Sequence, residues 1–295
     1  VFLSLENKKI KFLIPGVLSL AISFFMYFTP RVFVPLMFST VFIFLFGLWG
    51  KPKNIRYRNL LFCSFLLLVI MVYLLIFGIS GGGNRFKQVS IFGSLGTKLI
   101  MEEQIREDGI VGTNVKVTQF FHNKFINYSL DYISNYIDYF SGKFLFIEGG
   151  LPIWFRTEGI GLLYIIELPF LLIGLIVLAV SKNKMYKIPL LWVLSAPIIA
   201  ALTIDDIPNV RRSLFMFPML EIISAFGFLY ILQNRKKLGK TITISVGVIL
   251  LTLNFSYFLH QYFIHAPVHR NWYRNEGFGE MVKTVKNSYN NVDRI

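Results

Sequence analysis

The sequence is short of charge and almost without cysteine. Lys, Arg, Asp and Glu make up 16% of its 295 residues, where soluble domains carry about 25%. A chain with so little polar surface cannot cover a water-soluble core of its own size, and lipid is the solvent that fits. Cys63 is the single cysteine, so no internal disulfide forms and cysteine usage says nothing about compartment. Acids are scarcer than bases, 16 against 30, for a formal charge of +14. In a soluble protein that excess points to nucleic acid. Here the bases are placed otherwise, and nucleic acid is not an expected partner.

Apolar residues fill the space that charge leaves. They make up 55% of the chain, aromatic residues 17%, and Phe alone occurs 31 times. A hydrocarbon core about 30 Å thick needs roughly 20 helical residues to cross it. Seven stretches qualify: Phe12–Thr29, Val32–Gly50, Asn59–Ile79, Gly159–Val180, Ile188–Ile204, Ser213–Leu232 and Thr241–Phe263. Helices are expected throughout, because a lone strand in lipid leaves its backbone groups unpaired and no barrel alternation is present. The expected fold is an all-α polytopic membrane protein with about seven transmembrane helices and one large outer-face loop. Residues 1–263 form the bundle, loop 80–158 included. Residues 264–295 form an outer-face tail, read as the start of a further segment.

The loops alternate in charge. Lys8, Lys9 and Lys11 form one basic group, and Lys51, Lys53, Arg56 and Arg58 the next. Lys182, Lys184 and Lys187 follow, then Arg235, Lys236, Lys237 and Lys240. Glu6 is the only acid among them. The positive-inside rule puts all four groups in the cytoplasm of a cytoplasmic (inner) membrane. Chemistry then belongs on the outer face, since the cytoplasmic loops are too short to hold a site. The loop Ser80–Glu158 carries a short charged helix over Leu99–Asp108. An amphipathic helix is expected over Asn114–Phe140, with Phe121, Phe125, Tyr128, Tyr132 and Tyr136 at helical spacing. That stripe is expected to pack on the bundle.

Several motifs carry chemistry. Gly93, Gly96, Thr97 and Lys98 lack the spacing of a phosphate loop. The stretch from Thr203 to Ser213 is the most informative. Asp205, Asp206, Arg211 and Arg212 are compressed between two apolar spans around Pro208. Solvated ion pairing is one reading. The other is an anion site, because guanidinium forks bind phosphate by paired hydrogen bonds and a helix N-terminus adds positive potential. Arg31, Arg85 and Arg156 are further outer-face cations, each read alone as an interface anchor. Glu167 and Glu221 fall inside spans and should face the bundle interior. His260, His265 and His269 cluster near the end of the last span, but no Cys or acid completes a metal set and Pro267 should interrupt the helix. No metal site is expected. Asn127 heads a glycosylation tripeptide of a kind common by chance.

A family resemblance rests on four stretches. They are Phe121-His122-Asn123-Lys124; Ser134-Asn135-Tyr136 through Phe144-Leu145-Phe146; Gly161 through Glu167-Leu168-Pro169; and the Asp205–Arg212 loop followed by Pro218. In these, and in their order over Arg31 to about Asp293, the chain resembles GT-C membrane glycosyltransferases. The nearest likeness is to bacterial relatives of the protein O-mannosyltransferase and aminoarabinose-transferase group. The resemblance implies a GT-C-like fold and transfer of a sugar from a polyprenyl-phosphate-linked donor. The acceptor would be a glycan, lipid or protein on the outer face, and membrane lipids would be the other partners. Arg211 and Arg212, aided by Arg31, Arg85, Arg156 and Glu167, would hold the donor phosphate as its charge grows. No motif demands a cofactor, and the resemblance leaves room for a divalent metal. The family's base lies on the first outer loop, whereas Thr29-Pro30-Arg31 here contains no acid. Asp205 and Asp206 are weak substitutes, since neighbouring arginines lower carboxylate basicity. Val1 is not an initiator, so the base is expected upstream of it. A lipid-linked glycan flippase and a non-catalytic envelope-assembly protein are the alternatives.

The charge pattern yields a direct test of topology. In a Cys63→Ser background, an impermeant thiol reagent added from outside should label a cysteine at position 120 and leave one at position 184 untouched. The reverse labelling would overturn the orientation.

Overall fold

The computed structural model describes residues 88–269 and 277–289, with positions 22, 33, 34, 36, 37 and 40. Most of the first three expected spans, together with Arg31 and Arg85, lies outside the described residues. Among those described, the protein is mostly helical and has no strand. Two isolated bridges, Ser90 with Thr203 and Leu151 with Asn209, tie loops together.

The first helices belong to the large loop. Helix α1 runs Leu95–Val111, longer than the charged stretch that announced it. Ser94 caps its start by accepting from Thr97 N–H. The single helix expected over Asn114–Phe140 is two helices, α2 (Val115–Phe121) and α3 (Lys124–Asp138). Asn123 makes the break. Its side chain accepts from Ile126 N–H and donates to the Phe120 carbonyl, so it caps one helix and closes the other. The break divides the aromatic stripe. Tyr132 and Tyr136 pack on the core, whereas Phe121 and Phe125 are exposed. Asn127 is buried and donates to the Asn123 carbonyl, which removes it as a glycan acceptor.

The bundle follows. Helix α4 runs Leu168–Val180, α5 Ile188–Ser195, α6 Pro197–Ala200, α7 Val210–Ser213, α8 Phe217–Gln233 and α9 Lys237–His260. Two helical stretches, Val210–Gln233 and Lys237–His269, are long and apolar enough to cross a membrane. Ile165–Val180 and Met185–Ala200 are shorter apolar helices. The fourth expected span therefore starts later than Gly159. Gly159–Tyr164 stays irregular because it is bound elsewhere, with Leu163 N–H donating to the Leu145 carbonyl at 2.8 Å. The seventh runs further than Phe263 and is not stopped by Pro267. A π-helical turn over Gln261–His265, closed by Ala266 N–H on the Gln261 carbonyl, leads into α10 (Ala266–His269).

The central contact is between α4 and α8. Gly174 lies on the Ile223 backbone, and Gly227 lies on the backbones of Phe170 and Gly174. A Cβ at either glycine would overlap a carbonyl oxygen of the other helix. Glu167 and Glu221 border one cavity near the N-terminal ends of the two helices. Gly174 and Gly227 meet about two turns further along both. Positions rise together, so α4 and α8 run parallel. Helix α5 returns between them, with Trp192 Nε1 donating to the Phe215 carbonyl at 2.7 Å and Tyr186 against Phe226. Helix α9 runs back along α8, with Gly247 near the Phe228 ring and Phe258 level with Glu221. Buried Phe33, beside Val34 and Met37, stacks on Phe215 at 4.9 Å and meets Trp192 edge-on. Leu171, Leu178, Val193, Met216, Leu220 and Ile223 complete this core. The direction of these helices leaves Lys182, Lys187, Arg235 and Lys236 at one end. The large loop and the 203–209 turn gather at the other.

Alanine at Gly174 or Gly227 should push α4 and α8 apart. An overpacking cost of about 1–3 kcal/mol is expected, read as a lower Tm in detergent. Gly247, where a Cβ meets Phe228 at an ordinary 3.7 Å, is the control. A Gly227→Ala protein as stable as Gly247→Ala would refute the close crossing.

Candidate functional site

The segment between α3 and α4 builds the site. A π-helical turn at Lys143–Ile147 buries Phe144 and Leu145. The chain then turns through Gly149 and Gly150. A Cβ on Gly150 would sit 2.6 Å from the Pro208 carbonyl oxygen, so this turn lies directly on the 203–209 loop. Leu151 N–H donates to that carbonyl and Val210 N–H donates to the Leu151 carbonyl. Residues 156–164 then fold back beneath Gly149 and enter α4.

A cavity of about 380 Å³ results, lined by Arg156, Thr157, Tyr164, Glu167, Glu221 and Phe258 among others. That volume is in the range of small-ligand sites. Arg156 is held from one side only. Its Nη1 lies 3.5 Å from Glu148 Oε2, and Glu148 Oε1 is 3.3 Å from Lys143 Nζ. Arg156 Nε is buried and makes no hydrogen bond among the described residues. Glu167 Oε1 accepts from Tyr164 N–H at 3.3 Å, while its buried Oε2 has no partner there. One guanidinium and two carboxylates therefore border a common space, and Arg156 Nε and Glu167 Oε2 have bonding capacity to spare, while Glu221 is exposed. Such a space suits an anion beside a group that gives up a proton. A smaller apolar cavity of about 190 Å³ adjoins it, sharing Ile160 and Tyr164 and reaching Asn254 and Tyr257 of α9.

Of the residues expected at a site, the structure brings Arg156 and Glu167 together. Glu221, read only as an intramembrane acid, joins them. Its place depends on the glycine crossing, which no charge pattern announces. Arg211 and Arg212 sit in α7 at a helix start, as expected, but neither lines the cavity. Arg212 holds the loop instead. Its Nη1 donates to Thr203 Oγ1 at 2.6 Å and to the Asp205 carbonyl at 2.7 Å, and its N–H donates to Asn209 Oδ1. It thus meets the backbone of Asp205, in a turn where Asp206 takes a φ of 52°. Asp205 is exposed and Asp206 half-buried. Arg211 is exposed and takes part in an interaction of its own.

Tyr139 locks this loop to the large one. It is fully buried, and its hydroxyl accepts from Asn209 N–H at 3.1 Å. Burial pushes its phenol up to about 12, outweighing the Asn209 hydrogen bond and the Arg212 charge, which pull it down. Asn135 adds a second tie, donating to the carbonyls of Ala201 and Thr203. The aromatic stripe pointed to neither. The three histidines line the end of the Lys237–His269 stretch, His260 tilted against His265 with ring centres 4.9 Å apart and His265 stacked on His269 at 6.2 Å. Among the described residues, no group of His, Cys, Asp and Glu is arranged to hold a metal ion. No protein family, curated protein or solved structure matches the chain.

Tyr139→Phe should leave the buried Asn209 N–H unsatisfied, at a cost of about 1–3 kcal/mol. The pH dependence follows from the raised phenol. Its stabilisation is whole below the unfolded value of 10.0 and is lost as pH rises through about 12. Denaturation between these limits should therefore show stability falling faster with pH in the native protein than in Tyr139→Phe. Equal slopes would contradict the buried neutral phenol.

Proposed function

We propose that the chain is a multi-pass protein of the cytoplasmic membrane that transfers a sugar from a polyprenyl-phosphate donor to an outer-face acceptor. The observation that carries the reading is the meeting of Arg156 with Glu167 and Glu221 in one cavity. The end of the bundle bearing that cavity lies away from Lys182, Lys187, Arg235 and Lys236. The positive-inside rule makes the cavity end external, where polyprenyl-linked sugars are consumed. The remaining spans of the seven-span arrangement precede residue 88.

The chemistry divides between the charged groups. The guanidinium of Arg156 holds the donor phosphate, and its buried Nε supplies a hydrogen bond that strengthens as the phosphate leaves. A carboxylate of Glu167 or Glu221 takes the proton of the acceptor hydroxyl. The hydroxyl oxygen bonds to the anomeric carbon. The bond from that carbon to the phosphate oxygen breaks, and polyprenyl phosphate departs with the electron pair. The base formerly sought upstream of Val1 is thereby offered within the described chain. Arg212, committed to Thr203 and Asp205, shapes the neighbouring loop.

The test is transfer of labelled sugar from a polyprenyl-phosphate donor by purified protein in lipid. Glu167→Gln or Glu221→Gln should lower turnover by about 10²–10⁴-fold, the range of a lost general base. Arg156→Lys should fall well below the native rate, because a point charge does not reproduce the fork. Native turnover in all three variants would reject this assignment of the cavity.

A further inference from the structure

The last described helix, α11, runs Phe278–Ser288. Its apolar residues recur at Phe278, Met281, Val282 and Val285, with Tyr289 one turn beyond. This is the spacing of a single helical face. All five are exposed, Phe278 at 59% and Tyr289 at 67%. Lys286 borders that face, whereas Lys283 and Glu280 both lie on the far side. Eleven residues make about 16 Å of helix, too short to cross a bilayer. Such a helix suits the boundary between head groups and acyl chains.

Its place in the chain fixes which boundary. His269 ends the 33-residue stretch that begins at Lys237. The eight residues from His269 to Gly277 reach at most about 28 Å, whereas Lys237 lies about 48 Å back along the helix axis. Helix α11 is therefore confined to the cavity end, where Tyr257 and Phe258 of α9 border the two cavities.

We propose that α11 lies flat on an anionic bilayer surface at the cavity end. Phe278, Met281, Val282, Val285 and Tyr289 enter the acyl boundary, and Lys286 meets phosphate head groups. The inference rests on α9 being a membrane span, and the experiment separates the two.

The protein, with Cys63→Ser and an environment-sensitive fluorophore at Met281→Cys, is placed in bilayers of phosphatidylcholine and phosphatidylglycerol. Spin-labelled lipid should quench the probe, and aqueous iodide should not reach it. A probe at Glu280→Cys should show the opposite. Lys286→Gln should lower the ratio of docked to undocked helix about fivefold, the worth of one basic residue near an anionic surface. A probe at 281 reached by iodide, or shielded from lipid and water alike by protein, would overturn the proposal. So would an unchanged ratio in Lys286→Gln. A probe at Leu253→Cys in α9 is the control. Lipid quenching there with none at 281 rejects the surface helix alone, and none at either position rejects the span as well.

Discussion

The contact between Gly174 and Gly227 is the constraint on which the described structure depends. Helices without side chains at the crossing approach until backbone meets backbone, which in lipid supplies packing that the hydrophobic effect does not. The approach also fixes direction. Two neighbouring helices can run parallel only if the chain returns between them, and α5 with α6 makes that return. The N-terminal ends of α4 and α8 then lie at the same level. Glu167 and Glu221 share one space as a consequence, although 53 residues separate them in sequence.

A second set of contacts sets the walls of that space. Tyr139 and Asn135 reach from the large loop to the 203–209 turn, and Arg212 closes the turn on itself. These are neutral hydrogen bonds or bonds from a cation to neutral acceptors. Arg212 therefore meets Asp205 through its backbone carbonyl. The charged chain Lys143–Glu148–Arg156 sits at the cavity instead. Structural work and chemical capacity are thus assigned to different arginines. Arg212 has its donors committed to loop oxygens, and Arg156 keeps a buried Nε to spare.

How much of this was legible in the sequence follows from what each signal measures. Hydropathy reports burial summed along a helix, so the helical class and the four described apolar stretches could be read directly. The breaks could not, because they come from single side chains. Asn123 caps two helices at once, and a π-turn carries the last helix through Pro267. Charge scarcity singled out Arg156 and Glu167, which the structure places on one cavity. It ranked Arg211 and Arg212 above them because two adjacent arginines beside a proline look like an anion site. The distinction between a cation that holds a loop and one that faces a cavity is three-dimensional. Only the fold of residues 142–164 decides it.

Shared apolar spans and helix order are weak markers, since lipid selects the same residues in unrelated proteins. A functional reading has to rest on groups whose position costs free energy. Arg156 and Glu167, each half-buried, meet that condition, whereas Glu221 borders the same space from an exposed position. The two half-buried groups lose hydration there, and apolar residues would fill their space more favourably. Glu148 pairs with Arg156 from one side, and the buried Glu167 Oε2 makes no hydrogen bond among the described residues. The glycines two turns along hold α4 against α8, and Glu167 adds a bond of its own by accepting from Tyr164 N–H at the start of α4. Arg156, Glu167 and Glu221 thus line one cavity at the N-terminal ends of α4 and α8, a juxtaposition that the parallel crossing of these helices creates and that helix packing alone does not call for.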